Sequence, residues 1–451
     1  MSRAAHACLV IALVTAAPVW SQEGTAGVSS ANTGVMQVPA PVSGGAYPMA
    51  LGGEARSNYL HAGLGFNTAY DDNIIPGTGS SPISDVSYTV SPLISLDQTT
   101  SRLHQTLIYR PGFTLYQHNS DLNQFDQQLA FDLQYRLSPH VTASLADTLQ
   151  KSSTAFNQLT PLSGGAISGS LQSPVLPVVA PFANQLSNSA NVALSYQFSS
   201  NSMIGASELS AILRYLNPSQ APGLADSTTG AAEAFYSHRL SEAQYFGVAY
   251  QYSAIDSTFP DTQSTVQNGT DSNTITQTVL FFYSLNLTSN LSISLSSGPE
   301  YFNVSQSPFH STHSWTPAAM ASMGWQNPRT SIAASYSHIV SGGGGLQGAF
   351  NSNSAGLSFR RQLTRTWTID AMARYSITAN VSEVLSHSSP GGKSLYGTLS
   401  VQHPLSDRLK IECGYMRISQ TYANIAAVSN TPNANREFMT ISYQLTMPVG
   451  R

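Results

Sequence analysis

The sequence predicts an all-β chain that closes into a transmembrane antiparallel up-and-down β-barrel of about 18 strands, within about 16–18. Three observations carry that expectation. The chain is poor in charge, its hydrophobic period is two from Tyr59 onward, and its connections alternate between long and short.

Only 9% of the 451 residues are charged, with 19 Lys+Arg against 23 Asp+Glu. A soluble globular domain carries about 25%. The polar surface is therefore built from Ser, Thr, Asn, Gln and Gly. The 21 Tyr and 17 Phe are spread along the chain, which argues against disorder. A net charge of −4 without basic clusters gives no footprint for nucleic acid.

Residues 1–21 read as a signal peptide. Arg3 supplies the positive charge, "ACLVIALVTAAPVW" from Ala7 to Trp20 is the apolar core, and Ser21 is the expected last residue before cleavage. The apolar run falls short of the about 20 residues that a spanning helix needs. Cleavage would leave Cys413 alone, so no intrachain disulfide is expected. Residues 22–58 read as a periplasmic N-terminal linker, because Pro and Gly in "VPAPVSGGAYPM" and "LGGEARSN" break every periodicity. Residues 59–451 are left for the barrel.

Within that span the side chains alternate. In "FDQQLAFDLQYRL", Phe125, Leu129, Phe131, Leu133, Tyr135 and Leu137 share one face with Gln127, while Asp126, Gln128, Asp132, Gln134 and Arg136 take the other. "LHQTLIYRPGFTLYQ" sets Leu107, Tyr109, Phe113 and Leu115 against Thr106, Arg110 and Thr114. "ANVALSYQF" sets Val192, Leu194, Tyr196 and Phe198 against Asn191, Ser195 and Gln197. "TWTIDAMARYSI" and "REFMTISYQLTM" repeat the pattern near the C-terminus. In order, the expected strands are 59–70, 85–97, 103–117, 125–137, 140–150, 187–199, 202–216, 228–240, 243–256, 273–288, 290–305, 313–326, 329–341, 351–363, 366–378, 393–404, 408–422 and 435–447.

Every second connection is a short polar break inside a recurring phrase: "YRLSPHVTASL", "HRLSEAQYFGVAY", "LNLTSNLSISL", "RQLTRTWTIDAMARYS", "HPLSDRLKIECGY". The others are long, with Lys151–Leu186 the longest. Backbone groups in hydrocarbon must all be paired, so a bilayer sheet has to close on itself. Short turns then face the periplasm and long loops the outside. An even strand number puts both termini on the periplasmic side.

The chain resembles Gram-negative outer-membrane β-barrels of the porin type. "GLGFNTAYDDNI", at the first hairpin, is similar to the opening of porins found beside exopolysaccharide export genes. Many such barrels end on an aromatic residue, whereas this one ends "YQLTMPVGR". The resemblance implies an outer-membrane location, a water-filled channel for small solutes or polysaccharide export, and no enzyme activity. Its partners would be outer-membrane lipid and lipopolysaccharide, the barrel assembly machinery and periplasmic chaperones, and exopolysaccharide export components. The alternative is a structural or surface-interaction barrel that binds envelope partners without transport.

Twelve charged residues are expected to line the lumen: Arg110, Asp132, Arg136, Arg214, Glu233, Arg239, Arg360, Asp370, Arg374, Lys410, Glu412 and Arg436. Facing water, they either tune selectivity, weakly toward anions, or pair into a salt-bridged wall. The third long loop, 151–186, carries the apolar run "LQSPVLPVVAPF"; either it folds into the barrel and narrows it, as the third loop of porins does, or it stands outside as a mobile loop. No catalytic, cofactor or metal site is expected. His338 and Ser341 in "YSHIVSGGGG" lie three residues apart on a strand and so point to opposite faces. His310 and His313 have no nearby Cys, and Gly342–Gly345 reads as a flexible loop.

Overall fold

The computed structural model describes residues 58–75, 81–100, 102–154, 156, 182–258, 271–288, 290–306, 311–381, 391–422, 425, 428 and 433–449. The expected signal peptide and all of the expected linker except Asn58 lie outside them. So does most of the long third loop.

Eighteen strands follow one another: β1 Asn58–Asp71, β2 Asp85–Thr99, β3 Leu103–Tyr116, β4 Gln124–Ser138, β5 Val141–Thr154, β6 Phe182–Gln197, β7 Ser202–Tyr215, β8 Asp226–Ser241, β9 Gln244–Thr258, β10 Ser272–Thr288, β11 Leu291–Gln306, β12 Thr312–Gln326, β13 Thr330–Gly342, β14 Ala349–Gln362, β15 Thr368–Asn380, β16 Gly391–Pro404, β17 Leu409–Tyr422 and β18 Asn433–Pro448. Each pairs antiparallel with its sequence neighbours, and β1 pairs with both β2 and β18. The sheet is a closed up-and-down barrel, so no edge strand is left. β6 begins at Phe182 rather than 187, because Gln185 and Leu186 are already paired with Ser152 and Lys151 of β5.

The recurring phrase has a local cause. At one end of the barrel the connections are 100–102, 139–140, 198–201, 242–243, 289–290, 327–329, 363–367 and 405–408. In all of them but 327–329, where the Asn327 Oδ1 takes that part, a Ser or Thr hydroxyl accepts backbone N–H groups of its own turn. Ser138 Oγ takes those of His140 (3.2 Å) and Val141 (3.1 Å), Ser406 Oγ those of Arg408 (3.3 Å) and Leu409 (3.1 Å), and Thr364 Oγ1 that of Trp367 (3.1 Å). Such hydroxyls close a tight turn without using the backbone ladder. The long connections all lie at the other end.

Alternation fixes the faces. Leu64, Ile94, Val192, Leu194, Phe281, Leu295 and Leu357 stand exposed on the outside, while Thr114, Ser237, Thr276, Ser284 and Ser352 are buried on the inside. An apolar exterior around a polar interior inverts a soluble protein, and it is the arrangement a bilayer demands. Exposed aromatics cluster toward both ends of the outer wall, with Tyr135, Tyr196, Phe198 and Tyr443 near the short turns and Tyr70, Tyr88 and Trp315 near the long loops. Trp367 also stacks on His403 at the short-turn end, ring centroids 4.4 Å apart.

Candidate functional site: the lumen and its mouth

The site is the inner wall, and strand parity decides what reaches it. In β3 the outward Leu107, Tyr109, Phe113 and Leu115 put Arg110 inside with the buried Ile108 and Thr114. The same test places Asp132 and Arg136 (β4), Glu233 and Arg239 (β8), Arg360 (β14), Asp370 and Arg374 (β15), Lys410 and Glu412 (β17) and Arg436 (β18) on the inner face. Arg214 is the correction. It lies opposite Leu186 on the outer face of β7, along with Glu208, which is opposite the exposed Val192. The inner face of β7 is occupied instead by Leu209, Leu213 and Tyr215, all buried.

The inner charges fall into two environments. Near the short-turn end, Arg360 and Asp370 sit in register on β14 and β15, with Nε to Oδ1 at 3.6 Å and both side chains partly exposed. Lys410 and Glu412 lie on the same inner wall, on β17, and act electrostatically on Asp370; Glu412 also acts on Arg110 of β3. This is a mixed-sign, partly exposed patch. At the long-loop end, Asp71 and Arg436 face each other across the β1–β18 seam. Their pairing is bidentate, Nε to Oδ1 at 2.6 Å and Nη2 to Oδ2 at 2.9 Å, and both side chains are withdrawn from solvent. Phe156, just after β5, covers the pair, its ring centroid 4.3 Å from Arg436 Cζ. Phe156 packs against Tyr396, Ile418 and Ala434, on the inner faces of β16, β17 and β18. The start of the third long loop therefore reaches across the lumen; the apolar run before Phe182 lies outside the described residues.

A larger apolar cluster lies at the same end. Leu213, Tyr215, Ala183, Phe350 and Tyr422, from the inner walls of β6, β7, β14 and β17, meet loop residues Ala221, Leu224, Leu346, Ile425 and Val428. Three loops thus converge inside the barrel rather than standing in water. Gly342–Gly345, expected to be a flexible loop, belongs to this packed structure. Gly345 adopts φ +108°, and a Cβ there would collide with the Tyr215 hydroxyl. The sequence reading missed Asp71, which it placed in a loop, and the buried Glu300 of β11. Parity with Ala69 and with Phe302 would have found both.

The enzyme and metal candidates stay apart. His338 is on the outer face, its Nδ1 2.8 Å from Asn353 Oδ1, while Ser341 is buried within. His313 packs near Tyr301 on the outer wall, and His310 lies outside the described residues. Among the described residues, no group of three or more His, Cys, Asp or Glu side chains converges on a metal position.

No protein-family model matches the chain, and no curated protein matches it. Among solved structures the barrel is similar to OccK2 (OpdF) of Pseudomonas aeruginosa, with TM-score 0.42 and 10% identity over 86% of this chain and 98% of that one. It is also similar to the outer membrane protein OpdK of the same organism, with TM-score 0.38 and 9% identity over 86% and 99%. The ferric citrate transporter FecA gives TM-score 0.42 and 9% identity over 86% and 79%.

Proposed function

We propose that this protein is an integral outer-membrane barrel forming a conduit for small hydrophilic solutes. The observation that carries the reading is the inverted wall: an apolar belt outside a closed sheet, and Ser, Thr, Gln and charged side chains within. A barrel of about 18 strands leaves room for an aqueous path unless something fills it. The short turns would face the periplasm and the long loops the outside, so both barrel ends, Asn58 and Pro448, would be periplasmic. The belt would contact lipid and lipopolysaccharide, and insertion would need the barrel assembly machinery and periplasmic chaperones. A place in exopolysaccharide export rests on the "GLGFNTAYDDNI" resemblance.

The apolar cluster across the mouth favours a second reading, a structural barrel that binds an envelope partner through its loops. Planar-bilayer recording separates the two. Discrete current steps from the purified protein support the conduit. A barrel silent both as wild type and with its mouth cluster disrupted overturns it in favour of the structural reading.

A further inference from the structure

The wall is incomplete between β12 and β13. Their ladder joins Ala319–Gln326 to Ser331–His338 and stops there, although both strands continue toward the long-loop end. The cause is in the sequence of β12. Pro317 lies directly opposite Pro299 of β11. Two prolines have no N–H to exchange, so theirs is a non-hydrogen-bonded pair and each turns its peptide edge away from the other. Pro317 therefore faces β13 without a donor. The alternation agrees: Gln326, an odd number of residues along, donates its N–H to Asn290 at the β11 side (2.8 Å).

Above His338, β13 bends into the barrel. The Val340 N–H, which would point to β12 in a continuous wall, donates to Glu300 Oε2 of β11 at 3.0 Å. The Val340 side chain, on the outward parity of its strand, packs on Phe302 and Val304 of the inner face of β11. Gly342 lies so close to β9 that a Cβ would stand 3.0 Å from Ile255 Cγ2. The tip then reaches the β7–β8 connection, where Gly345 O accepts the N–H of Ala225 at 2.7 Å, and Leu346 enters the mouth cluster.

We propose that this tip, residues 339–350, is the gate of the conduit, hinged where Pro317 faces β13; the proposal rests on the conduit reading above. In the closed arrangement the tip fills the lumen and buries its apolar residues. In the open arrangement it returns to the wall and pairs with the free edge of β12, 312–318. Pro317 withholds one donor from that wall pairing and so favours the closed form. The glycines let the backbone take the positive φ angles of the docked turn, +57° at Gly344, +108° at Gly345 and +96° at Gly348.

Two readouts test this in the full-length protein with Cys8 and Cys413 replaced by Ser. The first is independent of current. Ser341 is buried, so Ser341→Cys should react slowly with a maleimide, and adding Pro317→Val, which restores the donor, should speed the reaction. Equal rates with and without Pro317→Val overturn the hinge, whatever the barrel conducts. The second is current. The pair Gly342→Cys and Ile255→Cys should form a disulfide, since a Cβ at 342 falls within bonding geometry of residue 255. Oxidation should abolish the open level and reduction should restore it. Current that is unchanged by oxidation in a cross-linked barrel overturns the gate while leaving the conduit standing. Silence in the reduced pair and in Pro317→Val overturns the conduit, and with it the gate.

Discussion

The two ends of the lumen use the same residue types to opposite effect. Near the short turns, Arg360 and Asp370 are 38% and 26% exposed and meet at 3.6 Å within a patch that also holds Lys410 and Glu412. At the mouth, Arg436 and Asp71 are 11% and 1% exposed, meet at 2.6 Å, and lie under the Phe156 ring. A screened pair contributes little, whereas a desolvated pair leaves an uncompensated charge when one member goes. The comparison teaches that facing inward does not mean facing water. The lower lumen leaves its charges partly exposed, and the mouth withdraws them from solvent.

The largest expected effect follows from that contrast. Asp71→Ala should destabilise the barrel by about 3–5 kcal/mol, because Arg436 is left buried and alone. Asp370→Ala should cost about 0–1 kcal/mol. Denaturant titration after refolding into lipid vesicles gives both values, and equal losses would erase the distinction between the ends. Next comes the wall between lipid and lumen. Leu133→Arg, on the outer face of β4, should cost about 2–4 kcal/mol near the midplane. Its neighbour Gln134→Arg, on the inner face, should be close to neutral in the same titration. Third, Phe156→Ala removes the cover from Arg436, a desolvated cation–π contact of about 2 kcal/mol. It should lower stability by that order and also raise cleavage by protease added from the loop side.

The smallest effect concerns selectivity. Replacing Arg110 and Arg374 with Gln removes two inner cations, so the reversal potential in a salt gradient should shift toward cation preference. The shift should grow as ionic strength falls, since the Debye length then lengthens and these charges are screened less. No shift at low salt would mean that the ion path avoids this wall.

The sequence made the faces legible but not the depth. Alternation in "FDLQYRL" and "TIDAMARY" put Asp132, Arg136, Asp370 and Arg374 on the parity opposite Phe131, Leu133, Tyr135, Ile369 and Tyr375, and the strands keep that parity. It misplaced Arg214, since β7 turns Leu209, Leu213 and Tyr215 inward, Leu213 and Tyr215 into the mouth cluster and Leu209 against Ala231. Period-two reasoning assumes that apolar means lipid, and that assumption fails wherever the lumen contains a core of its own. The Ser and Thr of the repeated turns were legible as turn residues, and their hydroxyl bonds to turn N–H groups supply the reason. The inward bend of β13 was written in Pro299 and Pro317, but their pairing is a matter of register, which one strand read alone does not give.

The central claim is a polar lumen beneath an apolar mouth, and single-channel recording of a mouth variant tests it most directly. Leu346→Ser with Phe350→Ser places hydroxyls among Leu224, Tyr215 and Tyr422, where burial of an unpaired polar group disfavours the cluster. In planar bilayers this variant should give larger or more frequent steps than the wild type, with its fold intact by circular dichroism. A folded variant whose currents match the wild type would contradict the account, because the mouth would then not be what limits the path.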